Sequence, residues 1–514
     1  MKQLTKQLMK AFLCLAPFLA ASQDGTLDTN FDADGILEGN GIGYVNVDLL
    51  AGLELFVYPD GKVMIGKTAG SPTGQPLSFG FSRLQSNGVP DITFSDDGVE
   101  IGHIAAYLTD FVLASNGHVI GLGIDPALSS RVLMRYNASG DLLSGSTEPN
   151  QGADMRQLEI KPDGKLVTAG AVGSPADKRF FVGQLNSDFS LDASFGSGGG
   201  VSITFDGPGI ARQLALTENN LIVVAGDYVA GQDRDVGVAV VGPTGAPAFG
   251  FSNDGKRSLD FSGDDFLTAL VVQPDGKYLV AGQNINLTGR DLFLARIHPD
   301  GTLDNSFGNQ GKVVIDVSGK EDWPADMALQ PDGKILVSGS ACFNGAGCDF
   351  MLARFNNDGT LDAAFGENGY VLTDISGLED RAYAMGLDPS GGVYVAGGVT
   401  VEPGLTIGNY AITKYLTDLS VDLSEPNGKE GSVLIYPNPV SEQINIQSAS
   451  GTAGAYQFKL YNAAGQLVNS WDEGWHPAGE LQWTLNLGGK QVPGWHVVEI
   501  SNGQQHQHVR VLLK

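Results

Sequence analysis

A glycine-containing turn that ends in lysine recurs along this chain, and phosphate binding is the chemistry that it could perform. The segment LQPDGKILVSG begins at Leu329, and similar segments begin at Val272, Ile160 and Val57. A phosphate loop connects a strand to a helix, whereas no helical periodicity runs through this region. Pro-Asp-Gly also suits a tight turn, because proline fixes φ, aspartate caps the turn amides and glycine adopts positive φ. We therefore predict repeated turns and no nucleotide site.

Acidic pairs could act as acid–base groups or as metal ligands. They occur at positions 96–97, 264–265 and 379–380, in segments that otherwise have the composition of ordinary acidic loops. The series Asn30, Asp32, Asp34 and Gly35 resembles the start of a calcium loop, but Gly41 stands where that loop needs glutamate. Because these residues overlap a recurrent turn, we predict no cofactor and leave calcium as an open alternative.

Catalytic motifs cannot be recognised in the sequence. The chain has no G-x-S-x-G, no H-E-x-x-H and no cysteine–histidine pair. Before residue 419 the histidines are His103, His118 and His298, and the last two stand at turn positions. The sequence therefore names no catalytic residue, no metal ligand and no ligand-binding residue, and it favours a protein that is not an enzyme.

One basic and one acidic position recur together with the turns. The basic set is Arg83, Arg135, Arg296, Arg354 and Lys414, and the acidic set is Asp28, Asp91, Asp192, Asp304 and Asp362. Both are missing from the fourth repeat, where Val240 and Ala246 stand, and this joint loss indicates that the two groups meet. We predict structural ion pairs, which are Arg83 with Asp91, Arg296 with Asp304, Arg354 with Asp362, and Lys414 with Asp28.

The amino terminus has the composition of an export signal. Three lysines precede an apolar run over residues 11–21, which is too short to span a bilayer, and small residues follow at 20–22. We predict a signal peptide over residues 1–22, which leaves Gln23 first in the mature chain. We predict no transmembrane segment.

Cysteine spacing predicts a disulfide in the exported protein. Cys14 lies in the apolar run and is expected to leave with the signal peptide, so that Cys342 and Cys348 remain. Two cysteines six positions apart between apolar strands are typical of a bridge across a hairpin loop in an oxidising compartment. Metal binding is the alternative, but no histidine or third cysteine is near.

The net charge of −27 over 514 residues excludes several classes of partner. Binding to nucleic acid or to anionic lipid depends on basic residues that displace counterions. We therefore expect no nucleic acid and no anionic membrane surface among the partners. The length indicates two or more domains, or one repetitive domain.

The recurrent turns have the spacing of a β-propeller. Their seven anchor positions lie 56, 47, 56, 56, 57 and 58 residues apart, and they are Pro59, Ser115, Pro162, Glu218, Pro274, Pro331 and Pro389. Each repeat contains four short β-rich segments separated by turn residues. We predict an all-β, seven-bladed propeller. The last repeat lacks its second half, and the segment from Asp24 supplies it, so the chain ends should share the closing blade.

These repeats resemble the delta-60 repeat, a family of bacterial exported proteins. The resemblance covers residues 23–419 and is carried by segments such as QPDGKILVSG and DFMLARFNNDGTLDAAFGENG. It implies a propeller-like array and says almost nothing about mechanism.

A second domain follows a polar linker at residues 420–432. Residues 433–514 contain short alternating strands and predict a small Ig-like β-sandwich. This stretch resembles the C-terminal sorting domain of the type IX secretion system, through Tyr436, Pro437, Asn438, Pro439, Gly465, Gly494 and Lys514. The resemblance implies that the type IX machinery is a partner, and that the protein is exported and then released or anchored at the outer-membrane surface.

Three functions of different classes remain open. The first is a secreted or surface propeller that binds an extracellular glycan or protein through variable loops near 72–77, 126–130, 228–232, 284–288 and 342–348. The second is a polysaccharide-active propeller enzyme, which needs carboxylates or histidines that converge at the channel. The third is a structural or adhesive repeat protein. A convergent acidic or histidine cluster in the fold would favour the second.

Overall fold

The fold is described by a computed structural model. It describes residues 24–39, 53–69, 78–125, 130–149, 153–287, 289–319, 321–343, 347–388, 391–400, 409–417, 433–436, 443–451, 453–462, 467–477, 479–487, 494–502 and 506–513. Two compact units follow one another along the chain, Met1–Ser420 and Val421–Lys514. Among the described residues, no helix is long and apolar enough to cross a membrane.

Four-stranded antiparallel sheets build the first unit, and seven of them lie within its described residues. The strands are β1 (Ile36–Gly39), β2 (Leu53–Val57), β3 (Val63–Ala69), β4 (Ser78–Leu84), β5 (Val99–Ala105), β6 (Tyr107–Leu113), β7 (Val119–Asp125), β8 (Ser130–Tyr136), β9 (Leu142–Pro149), β10 (Ala153–Ile160), β11 (Leu166–Val172), β12 (Arg179–Leu185), β13 (Gly200–Ile203), β14 (Gly209–Leu216), β15 (Ile222–Ala230), β16 (Asp233–Val241), β17 (Lys256–Leu259), β18 (Asp264–Val272), β19 (Tyr278–Asn286), β20 (Gly289–Ile297), β21 (Lys312–Ile315), β22 (Glu321–Leu329), β23 (Ile335–Phe343), β24 (Gly347–Phe355), β25 (Tyr370–Thr373), β26 (Asp380–Leu387), β27 (Val393–Val399) and β28 (Asn409–Tyr415). One short 3-10 helix, Pro175–Asp177, lies between β11 and β12.

The sheets follow the order of the chain, with one exception. Sheets 1 to 6 are β2–β5, β6–β9, β10–β13, β14–β17, β18–β21 and β22–β25, whereas sheet 7 has the order β26, β27, β28, β1. We call the first strand of each sheet its inner strand. Each inner strand contacts the inner strand of the next sheet, and β26 of sheet 7 contacts β2 of sheet 1. The inner strands therefore follow one another around a ring.

The recurrent Pro-Asp-Gly segments are the turns between the first and second strands, as predicted. In sheet 6, the Lys334 amide donates to Asp332 Oδ1 at 3.1 Å, and Gly333 has a φ of 87°. A strand follows each of these turns, so no helix N-terminus is available to hold a phosphate. We call the end of the sheets that carries these turns the turn end, and the opposite end the loop end.

Both faces of the middle strands are buried, which explains why their sequences read as continuous apolar runs. In β23, Ile335 and Val337 pack in one apolar cluster, whereas Leu336 packs in another. Each sheet thus has a neighbour on either face. A phenylalanine three residues after the recurrent aspartate extends this packing at the turn end, because Phe307 of sheet 5 lies 3.0 Å from the position that a Cβ on Gly359 of sheet 6 would occupy. Gly359 also has a φ of +86°, so this turn needs glycine for two reasons.

The two ends of the repeat region share sheet 7. Residues 36–39 of β1 pair with residues 410–413 of β28, and Leu27 forms a further bridge to Tyr415. Phe31 is fully buried and its ring lies 5.4 Å from that of Tyr394. The first described segment therefore covers the edge that β28 would otherwise expose.

The second unit contains two antiparallel sheets. Its strands are β29 (Val433–Tyr436), β30 (Gln443–Gly451), β31 (Gly454–Asn462), β32 (Leu467–His476), β33 (Gly479–Asn486), β34 (Gly494–Ser501) and β35 (His506–Leu513). One sheet has the order β29, β30, β33 and the other the order β32, β31, β34, β35. A single apolar cluster joins Ile446 and Trp483 of the first sheet to Phe458 and Val498 of the second.

The predicted disulfide is present and joins two strands of sheet 6. Cys342 of β23 pairs directly with Cys348 of β24, and their sulfur atoms are bonded. We expect its removal in a Cys342→Ser, Cys348→Ser double variant to cost about 2 kcal/mol, because the closed loop is short. Urea unfolding of the exported protein and the variant measures this cost. Two free thiols in the exported protein, detected by alkylation and intact mass, would contradict the expectation.

Candidate functional site

The recurrent basic and acidic residues meet within their sheets. Arg83 Nε lies 2.7 Å from Asp91 Oδ2, and the equivalent distance from Arg296 to Asp304 is 2.9 Å. Arg354 Nε donates to Asp362 Oδ2 at 2.8 Å, and Lys414 Nζ lies 2.9 Å from Asp28 Oδ2. These residues are largely buried. All four pairs that the sequence analysis proposed are therefore formed.

The arginines of these pairs also reach the next sheet, which the sequence analysis did not foresee. Arg83 Nη1 donates to the carbonyl oxygen of Ala138 in sheet 2 at 2.8 Å, and Arg296 Nη1 donates to Asn357 Oδ1 in sheet 6 at 2.8 Å. Arg354 Nη1 donates to Asp24 Oδ1 at 2.8 Å. Each guanidinium therefore bonds within its own sheet and to its neighbour, which is the geometry of a strut and leaves little capacity for a ligand.

Hydrogen bonds keep the strut carboxylates ionised. Burial alone would raise the pKa of Asp91, but hydrogen bonds from Thr93 and Lys62 and the charge of Arg83 lower this pKa to about 2. Hydrogen bonds from Lys165, Ser194 and Gln184 likewise lower the pKa of Asp192. These aspartates are thus structural anions at neutral pH, and they are poor proton donors or acceptors for catalysis.

Sheets 2, 3 and 4 depart from the strut pattern. In sheet 2, Arg135 donates to the carbonyl oxygen of Ser187 in sheet 3 at 2.5 Å. In sheet 3, Gln184 stands at the basic position and bonds to Asp192 at 2.7 Å. In sheet 4, the amide of Ala248 donates to Val240 O, as that of Asp304 donates to Arg296 O. The residue that replaces the aspartate is therefore Ala248, and the assignment to Ala246 was wrong by two positions.

Groups of three aspartates lie at the loop end, where one sheet connects to the next. One carboxylate oxygen from each of Asp235, Asp260 and Asp265 lies within 4.8 Å of the others, and the same holds for Asp349, Asp374 and Asp380. A third set stands at the equivalent position, in the repeat between these two, where Asp291 and Asp316 repel the carboxylate of Asp322. We call these sets the aspartate triads. The signal that could have revealed them is periodicity, because Asp260, Asp316 and Asp374 are 56 and 58 residues apart.

Oxygen ligands of this kind suit Ca²⁺, but the triads use their oxygens in fixing the backbone. The amides of Val317 and Ile375 donate to the innermost aspartates, Asp322 and Asp380, at 2.7 Å in both cases. In the first triad, Asn284 Nδ2 donates to Asp265 Oδ1 at 2.7 Å. Burial raises the pKa of Asp265 and Asp322 to about 7. The triads therefore serve first to hold the connections between sheets.

The series Asn30, Asp32, Asp34 and Gly35, which resembles the start of a calcium loop, also fixes the backbone. The amide of Ile36 donates to Asp34 Oδ1 at 2.9 Å, and that of Asn30 donates to Asp28 Oδ1 at 3.1 Å. Two of the acidic pairs noted in the sequence, at 264–265 and 379–380, contribute Asp265 and Asp380 to the triads.

His298 stands at a turn, with Nε2 3.7 Å from Asp304 Oδ1. The side chain of His103 lies outside the described residues.

Four carboxylates on the inner strands form a second acidic group, which the sequence analysis missed. They are Glu54 on β2, Asp110 on β6, Glu159 on β10 and Asp326 on β22. Burial raises the pKa of Glu54 well above its usual value, and repulsion from Asp110 and Asp326 adds to the effect. Burial also raises the pKa of Glu159 to about 7 and that of Asp326 to about 6. Because β2 and β22 belong to sheets that are not neighbours, these carboxylates face a common interior of the ring.

Two members of this group are tied to the backbone of neighbouring sheets. The Leu158 amide of sheet 3 donates to Asp110 Oδ2 at 2.6 Å, and the Met385 amide of sheet 7 donates to Asp326 Oδ2 at 2.9 Å. A β-bulge immediately precedes each of these aspartates in its strand, and it directs the side chain across the gap between the sheets. For Glu54, the repulsion from Asp110 and Asp326 is the main interaction that the structure shows besides burial.

We expect the first unit to lose stability as the pH rises from about 4, the pKa of a carboxyl in the unfolded chain, to about 7, the pKa of buried Asp265 and Asp322. In this interval the folded chain binds more protons than the unfolded chain, so ionisation favours unfolding. The strut aspartates act in the opposite sense, because the pKa of Asp91 is lowered to about 2 and its stabilising effect is lost below pH 4. Urea unfolding between pH 3 and pH 8 should therefore show a maximum near pH 4 to 5.

The variant Asp322→Asn tests the cause of this pH dependence. It cannot ionise, so it should reduce the loss of stability between pH 5 and pH 8 by about 2 kcal/mol. Asp177→Asn is a matched control, because its side chain is 72% exposed and it should leave the profile unchanged. Equal or greater stability at pH 8 than at pH 5 would show that the buried carboxylates do not set the profile.

The predicted variable loops share one position, the hairpin between the second and third strands at the loop end. Residues 231–232, 287–288 and 344–346 lie between the strands of the hairpins β15–β16, β19–β20 and β23–β24. Of these connecting residues, 288 and 344–346 lie outside the described residues. Leu287 at one tip is fully exposed. Residues 72–77 and 126–129 lie outside the described residues. In sheet 3 the 3-10 helix Pro175–Asp177 occupies this position, and the loop prediction had left it out.

Most sorting-motif positions lie outside the described residues. Tyr436 is the last residue of β29 and Gly494 is the first residue of β34. Pro437, Asn438, Pro439, Gly465 and Lys514 are not among the described residues.

Two family models match separate parts of the chain. One is described as a domain of unknown function (DUF5122) β-propeller, and it matches residues 273–307 and 330–365. The other is described as a secretion system C-terminal sorting domain, and it matches residues 434–514. The first match covers parts of sheets 5 and 6, and the second covers nearly all of the described second unit.

One curated protein is similar over most of this chain. Outer membrane protein B of Rickettsia typhi (strain ATCC VR-144 / Wilmington) is 22% identical over an alignment of 435 positions, which covers 77% of this chain and 25% of that protein. The chain thus spans about a quarter of the length of this curated relative.

Solved structures are similar at low sequence identity. The β-propeller domain of the Trilobed protease from Pyrococcus furiosus aligns with a TM-score of 0.39 and 9% identity, over 73% of this chain and 99% of that chain. The polysaccharide lyase Uly1 aligns with a TM-score of 0.45 and 8% identity, over 77% of this chain and 97% of that chain.

The family matches agree with the segments from which the sequence analysis argued. The turns beginning QPDGK at 273 and 330 fall inside the propeller match, and the motif from Tyr436 onward falls inside the sorting-domain match. The propeller character of the repeats and the resemblance to the sorting domain are therefore confirmed. The chain combines a DUF5122 β-propeller domain with a type IX C-terminal sorting domain, which implies export followed by secretion or anchoring at the cell surface.

Proposed function

We propose that this protein is a secreted or cell-surface, seven-bladed β-propeller that binds an extracellular glycan or protein at its loop end. One observation carries the proposal. The recurrent charged residues are engaged in struts and turns, as with Arg354 and Asp362, whereas the hairpins that differ between sheets stand at one common end. Equivalent loops of successive blades lie side by side, so a ligand can contact several of them at once.

The proposal keeps the domain boundaries that were predicted from the sequence. A signal peptide occupies residues 1–22, a delta-60 propeller residues 23–419, a linker residues 420–432, and an Ig-like sorting domain residues 433–514. The seven sheets, the contacts of each inner strand with the next and the pairing of β1 with β28 support a closed ring of seven blades. The cluster shared by the two sheets of the second unit supports a sandwich.

A glycan and extracellular-protein array probed with the purified mature protein tests the proposal. Binding should occur, and exchange of the hairpin tips 231–232 and 287–288 for Gly-Ser should abolish it with little change in melting temperature. A control exchange at the turn end replaces Glu218, Asn219 and Asn220 by Pro-Asp-Gly. Because Asn220 has a φ of 59°, glycine fits there, and binding should be kept. Binding that survives the loop exchanges and is lost in the turn variant would place the site at the other end.

An enzyme acting on extracellular polysaccharide is the second candidate. Such an enzyme needs carboxylates or histidines that converge at the channel. The acidic group of Glu54, Asp110, Glu159 and Asp326 supports this candidate, because carboxylates of raised pKa converge inside the ring. Two of them are occupied by backbone amides, which favours binding over catalysis. Release of new reducing ends, measured in the same array wells and lost in Glu159→Gln, would make the enzyme the better description.

A further inference from the structure

Lys67 differs from the other described lysines of the first unit, because its ammonium group has no oxygen partner among the residues that the structure describes. It lies on β3 in sheet 1, its residue is 1% exposed, and Nζ makes no hydrogen bond. The other nine described lysines of this unit each lie within 4 Å of an acceptor oxygen, as Lys414 Nζ lies 2.9 Å from Asp28. The exception is therefore not a general property of lysines in this fold.

The surroundings of Lys67 are apolar and aromatic. Its Nζ lies 4.2 Å from the centre of the Tyr410 ring, which belongs to β28 of sheet 7. Leu53 stands opposite Lys67 in β2, and it belongs to an apolar cluster with Ile412. Lys67 thus lies in the seam between sheet 1 and the closing sheet 7. It is two residues from the loop end of β3.

The closing strand is shaped to admit the Tyr410 ring. Gly39 of β1 pairs with Tyr410, and a Cβ at this glycine would lie 2.0 Å from the ring. Any other residue at this position would push the ring away. The absence of a side chain at Gly39 therefore leaves room for the ring, and the ammonium of Lys67 lies over it.

An unpaired ammonium in such a place destabilises the fold. The desolvation penalty of a buried ion exceeds what a cation–π contact returns, even when that contact is itself desolvated. Burial lowers the pKa of Lys67 to about 8, and no carboxylate contributes to that value. The chain has 58 acidic residues, and it uses many of them to pair other lysines. A cation that is kept without a partner at this cost has the properties of a binding group.

We propose that Lys67 and Tyr410 form a site for a single carboxylate group, supplied by a free organic acid or by an acidic sugar. One carboxylate neutralises the one buried cation. A phosphate dianion would leave a buried charge among apolar neighbours, which is costly. The half-buried edge of the Tyr410 ring offers apolar contact to the part of the ligand next to the carboxylate. The proposal stands apart from the proposed function, because it requires none of the hairpin tips.

Thermal unfolding of the full mature protein tests the site with acetate, with glucuronate and with phosphate, each at pH 7 and against sodium chloride of equal ionic strength. We expect the melting temperature of the parent to rise saturably, by about 2–5 °C. Lys67→Met should begin at a higher melting temperature than the parent and should not respond. Lys62→Met, in the same sheet, is the matched control. This variant removes the Lys62 ammonium, which lies 3.1 Å from Asp91 Oδ2. It should therefore lower the melting temperature, which should still rise when acetate or glucuronate is added.

A second measurement on the unmodified protein uses ζ-¹⁵N-lysine labelling. The Nζ resonance of Lys67 should titrate near pH 8 without ligand and at higher pH with glucuronate. A stronger response to glucuronate than to acetate identifies an acidic sugar, and equal responses identify free acids. The proposal is overturned if Lys67→Met is less stable than the parent, if neither carboxylate changes the melting temperature or the titration, or if only phosphate does. None of these failures affects the array experiment.

Discussion

A variant that lacks residues 24–39 should form aggregates or soluble oligomers in place of a compact monomer. The deletion removes β1 and leaves the backbone of β28 as an open edge, which is a template for pairing between chains. It also removes Phe31, which is fully buried against Tyr394 and whose loss alone is worth about 3–5 kcal/mol. The total is comparable with the whole stability of a domain, about 5–15 kcal/mol.

Size-exclusion chromatography with light scattering and a thermal melt measure this effect. The control is the mature chain from residue 23, and Phe31→Ala is an intermediate variant that keeps the strand. Phe31→Ala should remain monomeric with a lower melting temperature, because β1 can still pair. A deletion variant that is monomeric and melts with the parent would mean that sheet 7 does not need the N-terminal segment.

The second large effect is expected for Arg354→Met. The side chain of Arg354 is 1% exposed. Its Nε bonds to Asp362 in the same sheet, and its two terminal nitrogens, Nη1 and Nη2, bond to Asp24. Its removal takes away the guanidinium that these two buried carboxylates share, which should cost about 3 kcal/mol, although Lys334 Nζ stays 2.9 Å from Asp362. Methionine keeps most of the apolar stem, so the loss reports the guanidinium. Urea unfolding should show the change in midpoint.

Arg135→Met is the matched control for this variant. Arg135 stands at the same repeat position, but its described contacts are the carbonyl oxygen of Ser187 and the ring of Phe189. With no carboxylate left behind, its loss should be about 1 kcal/mol. Adding Asp24→Asn to Arg354→Met should recover part of the loss, because it removes one buried charge. Equal losses for the two arginine variants would show that the carboxylates do not determine the effect.

The sequence predicted those features that repeat within one sheet. The turn at Pro331, the pair of Arg354 with Asp362 and the bridge from Cys342 to Cys348 each connect positions close in sequence, so spacing alone identifies them. The sharing of sheet 7 by the chain ends was also predicted, because the missing half of the last repeat could be found after Asp24.

Contacts between sheets were not predicted, since periodicity does not show which side chain crosses a seam. Asp24 is 330 residues from Arg354, and it occupies a place where other repeats present a turn carbonyl, as Ala138 does. The inner carboxylates did carry a signal. Glu54, Asp110 and Asp326 each stand five positions before an anchor, but Gln157, Gln213, Ala269 and Ala384 stand there in the other repeats. Their convergence depends on the curvature of the ring, which one sequence does not contain.

The bond from Arg354 to Asp24 has a consequence for the order in which this protein can fold. Residues 24–39 emerge from a membrane channel before sheets 1 to 6, but their partners in β24 and β28 emerge more than 300 residues later. Until then the N-terminal segment has no edge to join, and the loop that must close is very long. Sheets 1 to 6 can form as they appear, whereas closure has to await the end of the repeat region. The sorting domain lies after that region in the chain, so it appears only when the ring is already able to close.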